Sequence, residues 1–304
     1  MTLRTDSRVW LRRNVNLAQY TTMQVGGPAA FFAEPTCEPE LLEALEFARQ
    51  EGLVSMVLGK GSNIIFPDEG FDGLVICMLH YEKEKIEFHD ELYAVNVGGG
   101  VHLYRFALAA QHRGYGGAEF LSGIPGTVGG ALVMNAGFSR FAGQKNEVGD
   151  VVEEVTALYP DGRKEIRTKK DLRFSYRASN LEEVLVLEAR FQLWRRPCEE
   201  IEKEMKANFE YRNREQDLRY PSSGSIFKNP APPSPSAGRL IDQQGLKGLQ
   251  MGGMMVSPKH GNYFVKVGAA KSADVQELIQ KVQETVFHAT QVFLEPEVRI
   301  VKKS

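Results

Sequence analysis

The stretch GIPGTVGGALVMNAG, residues Gly123–Gly137, holds five glycines and one proline in fifteen positions and carries no charge. Glycine loses more backbone freedom on folding than any other residue, so a cluster this dense implies that main chain approaches something closely. A P-loop would place a lysine after its second glycine to reach the phosphates, and none follows Gly129-Gly130. That spacing excludes the P-loop. Successive backbone N–H groups can still cradle an anion without a cationic side chain. A close contact of main chain with main chain explains the glycines equally well. Both readings stand at this point.

Two further glycine sites compete with it. GKGSNI, Gly59–Ile64, follows the apolar run VSMVLG as a dinucleotide fingerprint would. Such a fingerprint must open a helix, and here Ile64 replaces the third glycine while Pro67, Gly70 and Gly73 break any helix at once. The Rossmann reading therefore fails on context. The triplet Gly98–Gly100 sits between a strand and a helix, but Leu103 occupies the third glycine position, so it reads as a tight turn.

The bulk numbers set the frame. A chain of 304 residues holds two domains at roughly 150 residues each. Apolar residues are 42% and charged residues 25% of the chain, an ordinary globular composition. A formal net charge of −2 lacks the basic footprint of a nucleic-acid protein. Cys37, Cys77 and Cys198 are odd in number and far apart, which fits a reducing cytoplasm and no disulfide framework. The N-terminal stretch is basic without an apolar leader core, and no window reaches the roughly 18 apolar residues that span a bilayer. The six histidines show no metal-ligand spacing, so no metal is expected. The expectation is a soluble, cytoplasmic protein with no nucleic-acid or membrane partner.

Periodicity then places the elements. AAFFAEP reads as a strand, and Pro39 to Gln50 as a helix with Leu41, Leu42, Leu45 and Ala48 on one face. VSMVLG, LVICML, KIEFH and LYAVNV read as strands. A helix from Val101 to Arg113 puts Leu103, Phe106, Ala107 and Ala110 together and stops at Gly114. Pro160-Asp161-Gly162 marks a hairpin, and EEVLVLEARFQLW a long strand. A charged helix with Ile201, Met205 and Phe209 on one face follows a domain boundary near Pro197. Beyond it come the proline-rich loop PAPPSPS, strands at MMVS and YFVKV, and a helix from Ser272 that buries Val275, Leu278, Ile279, Val282 and Val286. In the last strand, EPEVRIV, alternation puts Glu295, Glu297 and Arg299 on one face and Val298 and Ile300 on the other.

The motifs VLGKGSN, EFLSGIPGTVGGALVMNAG, FSYRAS, GSIFKNP, GLKG, KHGN and LEPEVRI occur in this order. From about Asn14 to Val301 the chain closely resembles the bacterial UDP-N-acetylenolpyruvoylglucosamine reductases, in the shorter subclass that lacks a long insertion before GSIFKNP. The resemblance implies an α+β fold of the vanillyl-alcohol-oxidase kind. Residues 1–196 would form an FAD-binding domain of two α+β subdomains split near residues 80–90, and residues 197–304 a smaller substrate domain. It implies non-covalent FAD held by Gly59, Lys60, Gly61, Ser62, Asn63 and Ile64, by Ile124, Pro125, Gly126, Thr127, Val128, Gly129 and Gly130, and by Asn135, Ala136 and Gly137. NADPH would be the hydride donor and a nucleotide sugar the substrate, with the protein acting as a monomer in peptidoglycan precursor synthesis.

The same resemblance implies three catalytic residues. Arg177 would grip and polarise the substrate carboxylate, for which a planar guanidinium is suited. Ser225 would donate a proton to carbon, and Glu297 would assist charge and proton handling at the intermediate. Tyr176, Arg214, Lys228, Asn229 and His260 would line the substrate, with Arg212 beside the diphosphate. Two departures touch the site wall: Lys266 stands where relatives usually have asparagine, and the loop after Gln216 lacks a proline. Two rival readings share these residues. A different FAD oxidase of the same fold would lack GSIFKNP and EPEVRI, and a covalent flavin would need an anchor, for which only His102 is placed. A non-catalytic nucleotide-sugar-binding module would have lost one of Arg177, Ser225 and Glu297, and all three are present.

Overall fold

The apolar periodicities collect into three buried clusters, which fall on two compact units. The structure, a computed structural model, describes residues 10–138, 140 and 146–302. The first nine residues of the basic N-terminal stretch lie outside them. The first unit comprises residues 10–13, Phe31–Lys60 and Gly73–Tyr211, and the second residues 14–30, 61–72 and 212–302.

The first unit is built on a five-stranded antiparallel sheet in the order Lys164–Thr168, Val152–Leu158, Leu185–Gln192, Ala94–Gly98, Ile86–His89. The Pro160-Asp161-Gly162 turn closes the first hairpin, with Lys164 opposite Leu158 and Gly162 at φ +87°. Helix Leu103–His112 lays Leu103, Phe106, Ala107 and Ala110, each at most 1% exposed, into the cluster formed by this sheet. Phe106 meets Phe191 at 4.8 Å between ring centroids. Helix Glu38–Gln50 buries Leu41, Ala44, Leu45, Phe47 and Ala48 in a separate cluster. Leu42, expected on that face, is 36% exposed because the turn of the helix brings Ala44 and Phe47 inward instead. Strands Leu11–Asn16, Pro28–Ala33, Phe71–Cys77 and Ser55–Leu58 form a four-stranded sheet in that order, and along its first three strands the chain passes between the units.

Two features differ from the expected boundary near Pro197. Helix Cys198–Glu215 buries Ile201 and Met205 in the first unit's core, so that unit runs on to Tyr211. Its buried stripe steps from 205 to 208, closer to the 3.6-residue period than a second step of four. Asn208 is therefore 3% exposed, donating from Nδ2 to the Glu119 carbonyl at 3.1 Å, while Phe209 is 57% exposed. The second difference is that residues 14–30 and 61–72 belong to the second unit, where Met23, Val25 and Ile65 complete its core.

That core is closed by helix Ser272–Thr290, whose Val275, Leu278, Ile279, Val282 and Val286 are all at most 4% exposed. Burying each such side chain contributes roughly 1.5–3 kcal/mol. Opposite it lies a three-stranded sheet of Gln250–Met251, Met254–Val256 and Phe264–Lys266. EPEVRIV contributes only Arg299–Ile300 to a ladder, and pairs it in parallel with Ile64–Ile65. Gly61 sits at φ +65° against the Tyr20 carbonyl, which a Cβ would meet at 2.0 Å. Helix Ala237–Gln243 has no counterpart in the sequence reading; it is too short to show a period and is marked only by Ser236, which accepts from the Arg239 N–H. The helix Ser272–Thr290 is capped from a distant segment, since the Asp68 carboxylate accepts from the Ser272 and Ala273 N–H groups at 2.8 and 3.0 Å. Asp68→Ala should lower stability by about 1 kcal/mol, read from denaturant midpoints. An unchanged midpoint would show that the cap is dispensable.

Within the second unit the His260 imidazole packs against Tyr263 at 4.8 Å, and its Nδ1 accepts from the Asn262 N–H at 3.2 Å. Burial first, and Lys247 second, hold its pKa below the ordinary 6.5. In the first unit burial and Lys60 do the same to His102. The native state then binds fewer protons than the unfolded chain once the pH falls below the ordinary histidine range, so acidification destabilises it. His260→Gln should flatten the fall in denaturant midpoint between about pH 7.5 and 5.5, with His102 supplying the remainder. A slope equal to that of the parent protein would contradict this assignment.

Candidate active site

In the second unit, Ser225 and Glu297 are brought together through their backbones. The Glu297 N–H donates to the Ile226 carbonyl at 2.7 Å, and the Lys228 N–H to the Glu295 carbonyl at 2.8 Å. On its other side the GSIFKNP segment pairs Ser225 with Tyr263, and the Ile226 N–H donates to the Asn262 carbonyl at 3.0 Å. The Asn262 side chain completes this clamp, accepting from the Phe227 N–H at 2.9 Å and donating to the Phe227 carbonyl at 2.8 Å. Ile226 and Phe227 are at most 1% exposed and anchor the segment in the core, which fixes the backbone immediately after Ser225. Asn63 joins this group: its Nδ2 donates to the Glu297 carbonyl at 3.0 Å, while its own carbonyl accepts from the Arg299 N–H at 3.0 Å.

Arg177 lies in the first unit, at the tip of a hairpin formed by Phe174–Ser175 and Ala178–Ser179. Its φ is +57°. A two-residue turn with a left-handed second residue prefers glycine or asparagine there. Placing an arginine in that conformation costs on the order of 1–3 kcal/mol, and such residues persist where the surroundings over-determine them. The surroundings are specific. The Asn135 side chain, in a residue 1% exposed, donates to the Ser175 carbonyl at 3.0 Å and to Glu147 Oε2 at 2.8 Å, and accepts from the Gly149 N–H at 3.1 Å. Ser179 Oγ donates to the Val133 carbonyl at 2.9 Å. The guanidinium stands over the Tyr176 ring at 5.1 Å, and Tyr176 is 44% exposed.

The glycines of the opening stretch divide between the two readings left open above. Gly129 packs on the Gly98–Gly100 turn, with its N–H donating to the Gly99 carbonyl at 2.9 Å and the Val128 N–H donating to the Val101 carbonyl at 2.9 Å. A Cβ on Gly99 would lie 2.0 Å from the Val186 carbonyl, so close main-chain contact accounts for these positions. Gly126 and Gly130 face only side-chain atoms, at 3.3 and 3.4 Å. The N–H groups of Gly126 and Thr127 have no partner among the described residues, although Thr127 is 1% exposed. Gly59 belongs to the same surround, since a Cβ there would meet Thr127 Oγ1 at 2.6 Å. Unpaired N–H donors on successive residues of a glycine-rich loop suit a phosphate, so these residues fit the pyrophosphate of a dinucleotide cofactor. The remaining part of GKGSNI, Gly61 to Ile64, lies in the second unit.

Other expected contacts are already engaged within the protein. Lys228 pairs with Glu295 at 2.6 Å, Asn229 Oδ1 accepts from the Ala237 N–H at 3.1 Å, and Arg214 Nε donates to Glu215 at 2.6 Å. Arg212 Nε donates to Gln216 at 2.8 Å. Lys266, the departure in the site wall, donates from Nζ to the Gln24 carbonyl at 2.8 Å. The lead-in loop without its proline is held instead by Asp217, 1% exposed, whose carboxylate accepts from Arg219 Nε at 2.9 Å and from Ser257 Oγ at 3.4 Å. The Arg219 hydrogen bond holds the Asp217 carboxyl below its usual range. Sequence reasoning singled out neither Asp217 nor Asn262; each is an ordinary polar residue in a loop until its partners are known. Among the described residues no three His, Cys, Asp or Glu side chains gather as a metal site, and no helix is long and apolar enough to cross a membrane.

Comparison with known proteins places this arrangement. A family model described as the C-terminal domain of UDP-N-acetylenolpyruvoylglucosamine reductase matches residues 216–301, the part holding Ser225, Asn262 and Glu297. A second, described as an FAD binding domain, matches residues 29–166, including both glycine loops. The chain is 38% identical over 295 residues to UDP-N-acetylenolpyruvoylglucosamine reductase 1 of Bacillus cereus, covering 95% of this chain and 93% of that one. It is 40% identical to the reductase of Parasynechococcus marenigrum, covering 97% of each. The crystal structure of UDP-N-acetylenolpyruvylglucosamine reductase from Thermus caldophilus superposes with a TM-score of 0.78 at 36% identity, over 96% of this chain and 98% of that one. With such relatives and a solved structure matched across nearly its whole length, the chain belongs to the UDP-N-acetylenolpyruvoylglucosamine reductase family.

Proposed function

We propose that this protein reduces the enolpyruvyl group of UDP-N-acetylenolpyruvoylglucosamine to give UDP-N-acetylmuramate, with NADPH as reductant and FAD as cofactor. The observation that carries this reading is the hydrogen-bonded pairing of the Ser225 and Glu297 segments in the matched C-terminal domain. When bound, FAD supplies the transfer of hydride from NADPH to carbon. The open N–H groups of Gly126 and Thr127, with Gly59 beside them, would hold its phosphates.

The chain's own residues manage charge and protons. Hydride arriving at the methylene carbon of an enol ether conjugated with a carboxylate leaves negative charge on that carboxylate and the carbon beside it. Arg177 answers the first need, because its guanidinium pairs with a carboxylate in two places and stabilises charge as it develops. Ser225 answers the second by giving its hydroxyl proton to the carbon. A serine hydroxyl is a weak acid, and it serves only against a partner as basic as an enolate. Glu297 stands on the neighbouring segment to balance that proton and the residual charge. A different oxidase of the same fold has no use for this Ser225–Glu297 pair, and a mere binding module has no need to retain all three residues.

Substituting Ser225→Ala should leave flavin reduction by NADPH intact and slow substrate reduction by about 10²–10⁴-fold, the usual worth of a general acid. Undiminished turnover would remove Ser225 from this role. Arg177→Lys should raise KM for the nucleotide sugar and lower kcat together, because the paired grip is lost in both ground and transition states. We further infer that the protein acts as a monomer in the cytoplasm. Sedimentation of the FAD-loaded protein should give a single-chain species across the micromolar range, and a dimer at all concentrations would contradict this.

A further inference from the structure

The two asparagines of the cofactor loops do not point their side chains at a ligand alone; each spends hydrogen bonds on the backbone that carries a catalytic residue. Asn63 Nδ2 donates to the carbonyl of Glu297 itself, across 234 positions of sequence. Asn135 Nδ2 donates to the carbonyl of Ser175, two residues before Arg177, across 40 positions. Each bond lies within one compact unit. Neither is required by a ladder: Ser175 belongs to a hairpin of two-residue strands, and Glu297 precedes the two-residue strand Arg299–Ile300.

We propose that Asn63 and Asn135 are positioning residues, which tie the glycine loops to Glu297 and Arg177 respectively and so fix each catalytic side chain relative to the cofactor. The argument is strongest for Asn135. Arg177 sits at φ +57° and Asn135 itself at φ +42°, so two unfavourable backbone conformations face each other. A short hairpin with an arginine in the left-handed position has no local reason to keep it. Donation to Ser175 holds the hairpin from one side, and Ser179 Oγ on the Val133 carbonyl holds it from the other. The Asn135 oxygen is occupied by the Gly149 N–H and its second donor by Glu147, which orients the carboxamide in one sense. The Asp150 carboxylate in turn accepts from the Glu147 N–H at 2.9 Å, which caps the start of helix Val148–Val151. Asparagine is the residue that combines tolerance of a left-handed backbone with two donors and an acceptor.

This inference rests on the roles given to Arg177 and Glu297 above, and its test separates the two. In FAD-loaded protein, Asn135→Gly keeps the left-handed backbone and deletes the tether; Asn63→Ala deletes the other. Ser179→Ala loosens the same Arg177 hairpin without touching Asn135, and serves should Asn135→Gly not fold. Ser179→Ala should retain FAD and be reduced by NADPH within about twofold of the parent, and in all three variants oxidation of the reduced, FAD-loaded protein by the nucleotide sugar should slow by about 10- to 100-fold, the effect of an ångström-scale misplacement. Asn135→Gly combined with Arg177→Lys should be no slower than Arg177→Lys alone. Hydrogen exchange of the Tyr176–Ala178 amides should quicken in Asn135→Gly and Ser179→Ala. Unchanged exchange there, independent slowing in the double variant, or loss of FAD together with NADPH reduction in Ser179→Ala would overturn the proposal. Quickened exchange with an unaffected substrate step would also overturn it while leaving the role of Arg177, tested by Arg177→Lys, standing.

Discussion

The 2.7 Å hydrogen bond from the Glu297 N–H to the Ile226 carbonyl is the contact on which the second unit's chemistry depends. It fixes the register between two segments about seventy residues apart, and with it the relative placement of Ser225, the proposed proton donor, and Glu297. Everything around it serves to keep that register. The Asn262 side chain behaves as an extra stretch of strand against Phe227, and Leu294 and Val298 enter the core on either side of Glu297. A slip of one residue would turn Glu297 into the core and Val298 out of it.

The first unit solves a different problem. It must hold a guanidinium in a place the backbone disfavours and leave N–H donors open in the glycine loop. Both tasks fall to the region between Gly123 and Ser179. There the glycine stretch is part packing and part cradle: Gly129 is spent on the Gly98–Gly100 turn, and Gly126 and Thr127 keep their donors. Arg177 is held by tethers outside its own hairpin.

Much of this was legible in the residues. The buried faces of helices Leu103–His112 and Ser272–Thr290 follow directly from 3.6-residue spacing, and the Pro160–Gly162 hairpin from its turn chemistry. Local patterns failed where the determining partner is remote. Residues 61–72 read as a loop, and it is remote partners that show they belong to the second unit: Ile65 in its core, Asp68 at the start of helix Ser272–Thr290, and the ladder with Arg299–Ile300. Phe209 was placed inward by counting fours, when the helix turns Asn208 inward to meet Glu119. Arg177 carries no signal of its left-handed backbone, because its side chain is retained against propensity rather than because of it. The catalytic roles themselves came from resemblance; spacing alone described Glu297 as one rung of a charge ladder. Asn63 and Asn135 lie in the loops expected to hold the cofactor, and local sequence carries no sign that their side chains also bond protein.

The account as a whole stands on one electron path, and the visible spectrum of the wild-type protein follows it directly. Purified with added FAD, the protein should be yellow, lose its colour on anaerobic addition of NADPH, and regain it when UDP-N-acetylenolpyruvoylglucosamine is supplied. A protein that stays colourless in the presence of FAD, or one whose colour returns with oxygen and never with the nucleotide sugar, would contradict the reading.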